Sequence, residues 1–472
     1  MTPLLDALRE RVGERYATLP EADRPELSDR HRRYHGRVQA LVRPADTAEV
    51  AAVVKLCAER RVPVVVQGGN TGLMGGATPD DSGHAVLLRL DRLDRIRAID
   101  TDNDTLTVEA GCVLQRVQQA AQAVDRLFPL SLGSEGSCTL GGNLATNAGG
   151  NAVLRYGNTR ELTLGLEVVT AEGEIWHGLR GLRKDNTGYD LRDLYVGSEG
   201  TLGIITAATL KLFPLPRTRL TALVSFAVLT QAVAFLSLAR QGLDAGLTAF
   251  ELLSADCLEL LHEQFPEGPN PFPERREPWY ALLEFSSSAT QGEAQARFEA
   301  VLADGLEQGL LSDALLAGSL AQSQALWLMR ENLSDAQARA GRNMKHDISL
   351  PISQIASFVE RTGDLLQARF RGVRHYTFGH LGDGNLHYNV AHPLDQSVAA
   401  HMAHYAAVSE IVHDSAHALG GSISAEHGIG QRKRDVLPRY KSPLELELMR
   451  RIKQALDPHN LLNPGKVLVI PS

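Results

Sequence analysis

The residues best equipped for chemistry gather in the last third of the chain. Residues 375–390 read HYTFGHLGDGNLHYNV, with strand-like runs at 376–378 and 386–390 and turn chemistry, LGDGN, between them. Such a turn can bring His380 and His387 to one side despite their separation along the chain. Further on, SAEHGIG presents Glu426 and His427 in a loop of small residues. Two imidazoles and one carboxylate make a borderline donor set suited to Zn2+ or a similar divalent ion, with positions left open for substrate. Spacing alone leaves a plainer alternative standing, because hydrogen-bonded histidines are common in strands. His427, beside a candidate ligand, is a candidate base, since imidazole titrates near neutral pH. A structural histidine is the alternative there. A second group, His413 and His417 with His401 and His404, falls on a helix expected over 399–419. No glycine-shaped loop presents it, and these read as solvated side chains.

Three glycine-rich loops form the second chemical feature. Residues 66–76, VQGGNTGLMGG, hold five glycines in eleven positions, against 42 in the 472 residues of the chain. Residues 133–150 read GSEGSCTLGGNLATNAGG, and 197–205 read GSEGTLGII. A glycine loop after a strand can point successive backbone N–H groups at one anion and lets the backbone approach closely. One such loop is often only a tight turn; three in one unit suit a large diphosphate cofactor. The dinucleotide fingerprint GxGxxG with its later acidic residue is absent, as is GxxxxGK[ST], which argues against NAD-Rossmann enzymes and P-loop NTPases. A third feature spans 323–350, SQALWLMRENLSDAQARAGRNMKHDISL. A helix there puts Arg330 and Ser334 on one face at i,i+4, with Lys345 following at the start of a strand. Helical arginines are usually solvated, so position alone does not make this a binding segment.

The elements that must hold these groups mix α and β. A polar helical arm is expected over 1–34. A strand at 38–42, a helix at 46–60 capped by Asp46 with Glu49 three residues on, and a strand at 62–66 make a βαβ-like opening into the first glycine loop. Strands at 85–90, 105–108, 164–169 and 204–212 and a helix at 113–124 follow. FPLPR at 213–217 marks a boundary. Strand, helix, strand at 224–228, 231–240 and 249–253 open a second unit, and 266–278, with five prolines in thirteen positions, reads as a surface loop.

Composition narrows the classes. The chain is 43% hydrophobic and 22% charged, so disorder, collagen and coiled coil do not describe it as a whole. A formal net charge of −8 argues against a nucleic-acid partner, which needs a broad basic face. Cys57, Cys112, Cys138 and Cys257 lie far apart with no CxxC, which fits a reducing compartment and excludes a thiolate zinc cluster. The charged first residues lack a signal-peptide core, and no apolar run nears the roughly 20 residues that span a bilayer; a cytoplasmic location is expected.

QGGNTGLMGG, SEGSCTLGGNLATNAGG and GSEGTLGIIT, with the terminal NPGK, together resemble the FAD-binding domain of the vanillyl-alcohol-oxidase (PCMH-type) flavoproteins. Within that superfamily the chain resembles the D-2-hydroxyacid dehydrogenase branch, above all the D-2-hydroxyglutarate dehydrogenase family, from about residue 35 to the end. The resemblance implies an α+β fold. A PCMH-type FAD-binding domain of two subdomains (35–216) precedes an α+β substrate or cap domain with an antiparallel sheet (217–425), and a C-terminal segment (426–472) packs back on the flavin. FAD would be cradled by Gly68, Gly69, Asn70, Thr71, Gly72, Gly75 and Gly76, by Gly133, Ser134, Ser137, Gly141, Gly142, Asn143, Thr146 and Asn147, and by Gly203 and Ile205, with Asn463 near the ring. Residues 66–76 contain no histidine for covalent attachment, so non-covalent FAD is expected.

The motifs HxGDGNxH and EHG match the family's metal site, which implies His380, His387 and Glu426 as ligands. RENxS…KHDISxP resembles its substrate-binding segment, which implies Arg330, Ser334, Lys345, Asn389 and His427 as substrate contacts. A second buried cation is favourable only opposite a second carboxylate, which argues against a monocarboxylate such as D-lactate. D-2-hydroxyglutarate is the leading substrate, with D-lactate, D-malate and glycolate as alternatives within the family. The implied reaction oxidises the D-2-hydroxyacid to the 2-oxoacid, with His427 as base. The acceptor is not NAD; an electron-transfer flavoprotein or a quinone is the family-level expectation, and a homodimer is compatible with it. Two readings of other classes remain: a non-catalytic flavoprotein subunit of a complex, and a metallohydrolase using the histidine site alone.

Overall fold

Asp46 starts the first long helix as its sequence suggests. Its Oδ1 accepts from the Glu49 N–H at 2.9 Å, and Glu49 reaches back to the Ala45 N–H at 2.7 Å, capping Thr47–Glu59. The computed structural model that shows this describes residues 3–273, 277–393 and 396–470; positions 274–276 of the proline-rich loop lie outside the described residues. The chain divides into two units. One comprises Met1–Gly149, Gly157–Leu215 and Glu426–Ser472; the other comprises Gly150–Tyr156 and Pro216–Ala425.

In the first unit, residues 1–34 do not form the polar arm expected of them. The helix Pro3–Val12 buries Leu4, Leu5, Leu8 and Val12, which join Val50, Val53, Val54 and Cys57 in one hydrophobic core. The segment is polar in composition, but its few apolar residues share one helical face, and a single stripe suffices to dock a helix. The βαβ opening is present as Ala40–Val42, Thr47–Glu59 and Val64–Gln67, although its strands are not neighbours. Val86–Arg89 lies between them, parallel to both, and Ala17–Thr18 completes a four-stranded sheet. A second, antiparallel sheet has the order Ile96–Asp100, Thr105–Glu109, Ile204–Lys211, Thr163–Val169, Ile175–Gly178. The C-terminal residues are tied into this unit. Buried Lys453 donates to Asp457, the Leu462 carbonyl and the Thr201 carbonyl, and Leu462 pairs with Val64 as a parallel bridge.

The second unit is built on a seven-stranded antiparallel sheet. Its order is Asp313–Leu316, Thr218–Phe226, Trp279–Ser287, Leu247–Ser254, Arg374–His380, Asn385–Ala391, Asp347–Ser349. Helices Leu229–Leu243, Gln291–Glu307, Ile355–Arg369 and Tyr405–Ala418 supply much of its main core. Residues 150–156 belong here because Leu154 packs against that core.

Two local expectations change. The helix expected over 399–419 is two helices, Val398–Met402 and Tyr405–Ala418, interrupted at His404. Its histidines are not all solvated: His413 is buried edge-on to His346 at 5.7 Å, and buried His401 bonds the Val390 carbonyl at 3.2 Å. One face of the second helix (Val408, Val412, Ala416) packs on the core, and His413 sits beside that stripe. All four cysteines are buried and unpaired, and burial pushes the Cys57 and Cys257 thiols up to about 12, which makes them inert. Among the described residues, no helix is long and apolar enough to cross a membrane.

Candidate functional site

The glycine loops do converge. In the first unit, Val64–Gln67 delivers the chain into residues 68–76, and the second loop contains the short helix Leu140–Ala145. Residues 68–72 and 76, residues 141–143 with Thr146, and Gly203 with Ile205 line one narrow cavity of about 140 Å³. Glycine is required where the loops meet. A Cβ on Gly68 would lie 2.3 Å from Thr139 Oγ1, and one on Gly69 would lie 2.2 Å from the Ser137 carbonyl oxygen. At Gly72 a Cβ would meet nothing within 4 Å.

The walls suit a polar ligand. Thr139 and Asn143 both line the cavity, and Thr139 Oγ1 and Asn143 Nδ2 are buried without a hydrogen-bond partner among the described residues. A buried polar atom left unpaired is costly, so these two fit groups that a bound cofactor would satisfy. That is the test FAD must pass here, and the donor set passes it.

Six of the expected cradle residues do not line the cavity. Gly133 and Ser137 are exposed, and Ser137 closes a turn onto the Ser134 carbonyl at 3.3 Å. Asn147, at φ +50°, accepts from the Arg160 N–H at 2.9 Å and so shapes the chain leaving the helix. The Gly75 carbonyl accepts from Gln431 Nε2 at 2.9 Å. Asn463 is buried and braces the cavity from behind: its Nδ2 donates to the Gly76 carbonyl at 2.9 Å and the Glu199 carbonyl at 2.8 Å. His427 lines the same cavity, its Nε2 3.6 Å from Glu426 Oε1. Glu199, not singled out from sequence, lines it as well.

In the second unit, the hairpin Arg374–His380, Asn385–Ala391 sets the rings of His380 and His387 5.8 Å apart, as the GDGN turn suggests. Glu251, fully buried in the neighbouring strand, is in register with His380 and bonds its Nδ1 at 2.7 Å. The other Glu251 oxygen accepts from Arg330 Nε at 3.0 Å and Nη2 at 2.8 Å. Burial alone would raise this carboxyl, but the neighbouring His380 and Arg330 outweigh it and hold the group at about 2. An ionised carboxylate only accepts, so Nδ1 of His380 carries the proton, and Nε2 is the atom that would bind a metal. That arrangement fits a divalent ion on His380.

Arg330 is buried and stacks over Phe378 at 5.0 Å. Two of its five N–H donors are taken by Glu251, so what it offers a ligand is direction more than net charge. The pairing of Met344 with Val390 and Asp347 with His387 places Lys345 opposite Asn389. Asn389 Oδ1 accepts from the His346 N–H at 3.2 Å, and its Nδ2 donates to Gln337 at 2.8 Å. Asp347, also missed from sequence, lies 3.9 Å from His387 Nδ1. Ser334 is exposed, and the single helix expected to carry it with Arg330 breaks at Asn332 into Leu320–Glu331 and Leu333–Arg339.

The FAD binding domain family matches residues 38–178, and the C-terminal domain of the FAD linked oxidases matches 215–467. A mitochondrial D-2-hydroxyglutarate dehydrogenase of Bos taurus is 38% identical over 467 residues, covering 98% of this chain and 83% of its own. A D-2-hydroxyglutarate dehydrogenase of Xanthomonas citri pv. viticola is 41% identical over 442 residues, covering 92% and 90%. Among solved structures, p-cresol methylhydroxylase with substrate bound matches at TM-score 0.75 and 17% identity, covering 98% of this chain and 96% of that one. The 4-ethylphenol oxidase of Gulosibacter chungangensis matches at TM-score 0.75 and 18% identity, covering 99% and 97%. At those identities the likeness is one of fold, the expected PCMH-type α+β architecture.

Proposed function

Because the chain belongs to the D-2-hydroxyglutarate dehydrogenase family of FAD-linked oxidases, and is an FAD-dependent dehydrogenase, we propose a residue-level mechanism for its oxidation of a D-2-hydroxyacid. The observation that carries it is His427 on the wall of the flavin cavity. When bound, FAD supplies the hydride-accepting ring, and a divalent cation supplies positive charge beside the substrate hydroxyl. His427 takes the hydroxyl proton on an imidazole nitrogen as the α-hydrogen leaves. The cation's ligands in this reading are His380 and His387, with Glu426 as the third. Glu251 fixes the tautomer and orientation of His380.

The remaining groups set substrate class. Arg330, held by Glu251, aims its other N–H donors at one carboxylate, and Lys345 brings an ammonium to a second, with Asn389 and Ser334 as polar neighbours. The Lys345 ammonium favours a substrate with a second carboxylate over D-lactate or glycolate, and among dicarboxylates the family relationship favours D-2-hydroxyglutarate ahead of D-malate. Lys345→Ala is expected to raise KM for D-2-hydroxyglutarate about 10- to 100-fold, the size of one charge-assisted hydrogen bond, and KM for D-lactate much less. Equal losses on the two substrates in steady-state assays would overturn the distal role of Lys345. An electron-transfer flavoprotein or quinone as acceptor, a cytoplasmic location and a homodimer belong to the same reading.

A further inference from the structure

Glu199 stands in the third glycine loop at φ +53°, a backbone region that a residue with a side chain enters only at a cost in free energy. Strain of that kind persists where surrounding contacts fix it. Here three segments do so. The Glu199 N–H donates to the Ala145 carbonyl at 2.8 Å, at the end of the cradle helix Leu140–Ala145. Its carbonyl accepts from Asn463 Nδ2 at 2.8 Å. Its carboxylate accepts from two successive backbone groups, the Ile429 N–H at 2.7 Å and the Gly430 N–H at 2.8 Å.

Those two N–H groups lie just after His427. Gly428 between them and the imidazole has φ +76°, and a Cβ there would fall 2.8 Å from Glu199 Oε1, so glycine is what admits the carboxylate. Burial drives this carboxyl upward, against the two N–H groups and the nearby Lys433 and Lys466. Both oxygens of this carboxyl are taken by backbone N–H groups of the loop that follows His427.

We propose that Glu199 is a positioning residue for His427: its carboxylate clamps the backbone of Ile429 and Gly430 to the flavin cradle, which holds the imidazole at the cavity wall. This rests on the reading of His427 as the proton acceptor. The test compares E199A, E199Q, H427A and the double variant E199A/H427A as FAD-loaded full-length enzymes. Turnover and the rate of anaerobic flavin bleaching by D-2-hydroxyglutarate are the readouts.

Loss of both acceptor bonds in E199A should lower kcat about 100-fold, with KM within about threefold and flavin content unchanged. Glutamine keeps one acceptor oxygen, so E199Q should lose only about tenfold; being isosteric, it also carries the test if E199A folds poorly. A residue acting through His427 adds nothing once that side chain is gone, so the double variant should bleach no more slowly than H427A. Wild-type turnover in E199A, loss of FAD from E199Q, or a full additional loss in the double variant would overturn the clamp. H427A with near-wild-type turnover would instead overturn the base assignment on which the clamp depends.

Discussion

His427→Ala is expected to lower kcat about 10³-fold while leaving the protein yellow. General-base catalysis by a positioned imidazole contributes roughly 10²- to 10⁴-fold, so its removal should cost about 3–5 kcal/mol of transition-state stabilisation. Flavin retention follows from the cavity itself. The glycine loops and the orphaned Thr139 and Asn143 atoms form the cradle, whereas His427 contributes one side chain to its wall. Steady-state turnover with an artificial acceptor, alongside the visible flavin band, checks both halves. Near-wild-type turnover would remove His427 from the mechanism.

Glu251→Ala should have the largest effect on stability. The carboxylate is fully buried and serves two partners, Arg330 and His380. Removing one member of such a group leaves a buried guanidinium uncompensated, which costs about 3–5 kcal/mol. A denaturant midpoint for the second unit that stays at the wild-type value would contradict this. Glu251→Gln keeps the shape but loses the charge that fixes the His380 tautomer, and outer-shell changes of that kind weaken metal binding about 10- to 100-fold. Zn2+ competition against a chelating dye measures that without reference to turnover.

What the sequence made legible was whatever lay within one motif. The GDGN turn sets the spacing of His380 and His387, and glycine-rich runs after strands announce a cradle, because both depend on short-range backbone geometry. Its limits are equally physical. Residues 133–150 read as one glycine loop, yet the stretch around Gly133–Ser137 is a largely exposed turn and only the part from Cys138 onward lines the cavity. The break at Asn332 separates Arg330 from Ser334, and nothing in local helix periodicity signals it.

Glu251 pairs with residues far along the chain, so no motif frames it, and Glu199, although inside the motif GSEGTLGII, bonds backbone groups of the distant loop at Ile429 and Gly430. A signal for Glu251 did exist: it is a lone charge in the run LTAFELLS, every position of which is buried in the sheet. A carboxylate in such a strand demands a cation or hydrogen-bond donor opposite it, and asking which would have led to Arg330 and His380. The docking of the expected N-terminal helix, Pro3–Val12, was hidden differently, by averaging over a polar segment whose four buried apolar residues share one face.

The central claim is that FAD, a divalent metal and a D-2-hydroxyacid meet in one reaction. Its most direct test is anaerobic bleaching of the flavin band in purified protein by D-2-hydroxyglutarate, before and after EDTA treatment. The expected result is bleaching that EDTA abolishes and added Zn2+ restores. Bleaching that proceeds unchanged after the metal is removed would contradict the roles given to His380, His387 and Glu426. A yellow protein that ignores D-2-hydroxyglutarate but bleaches with the monocarboxylate D-lactate would contradict the assignment of Lys345.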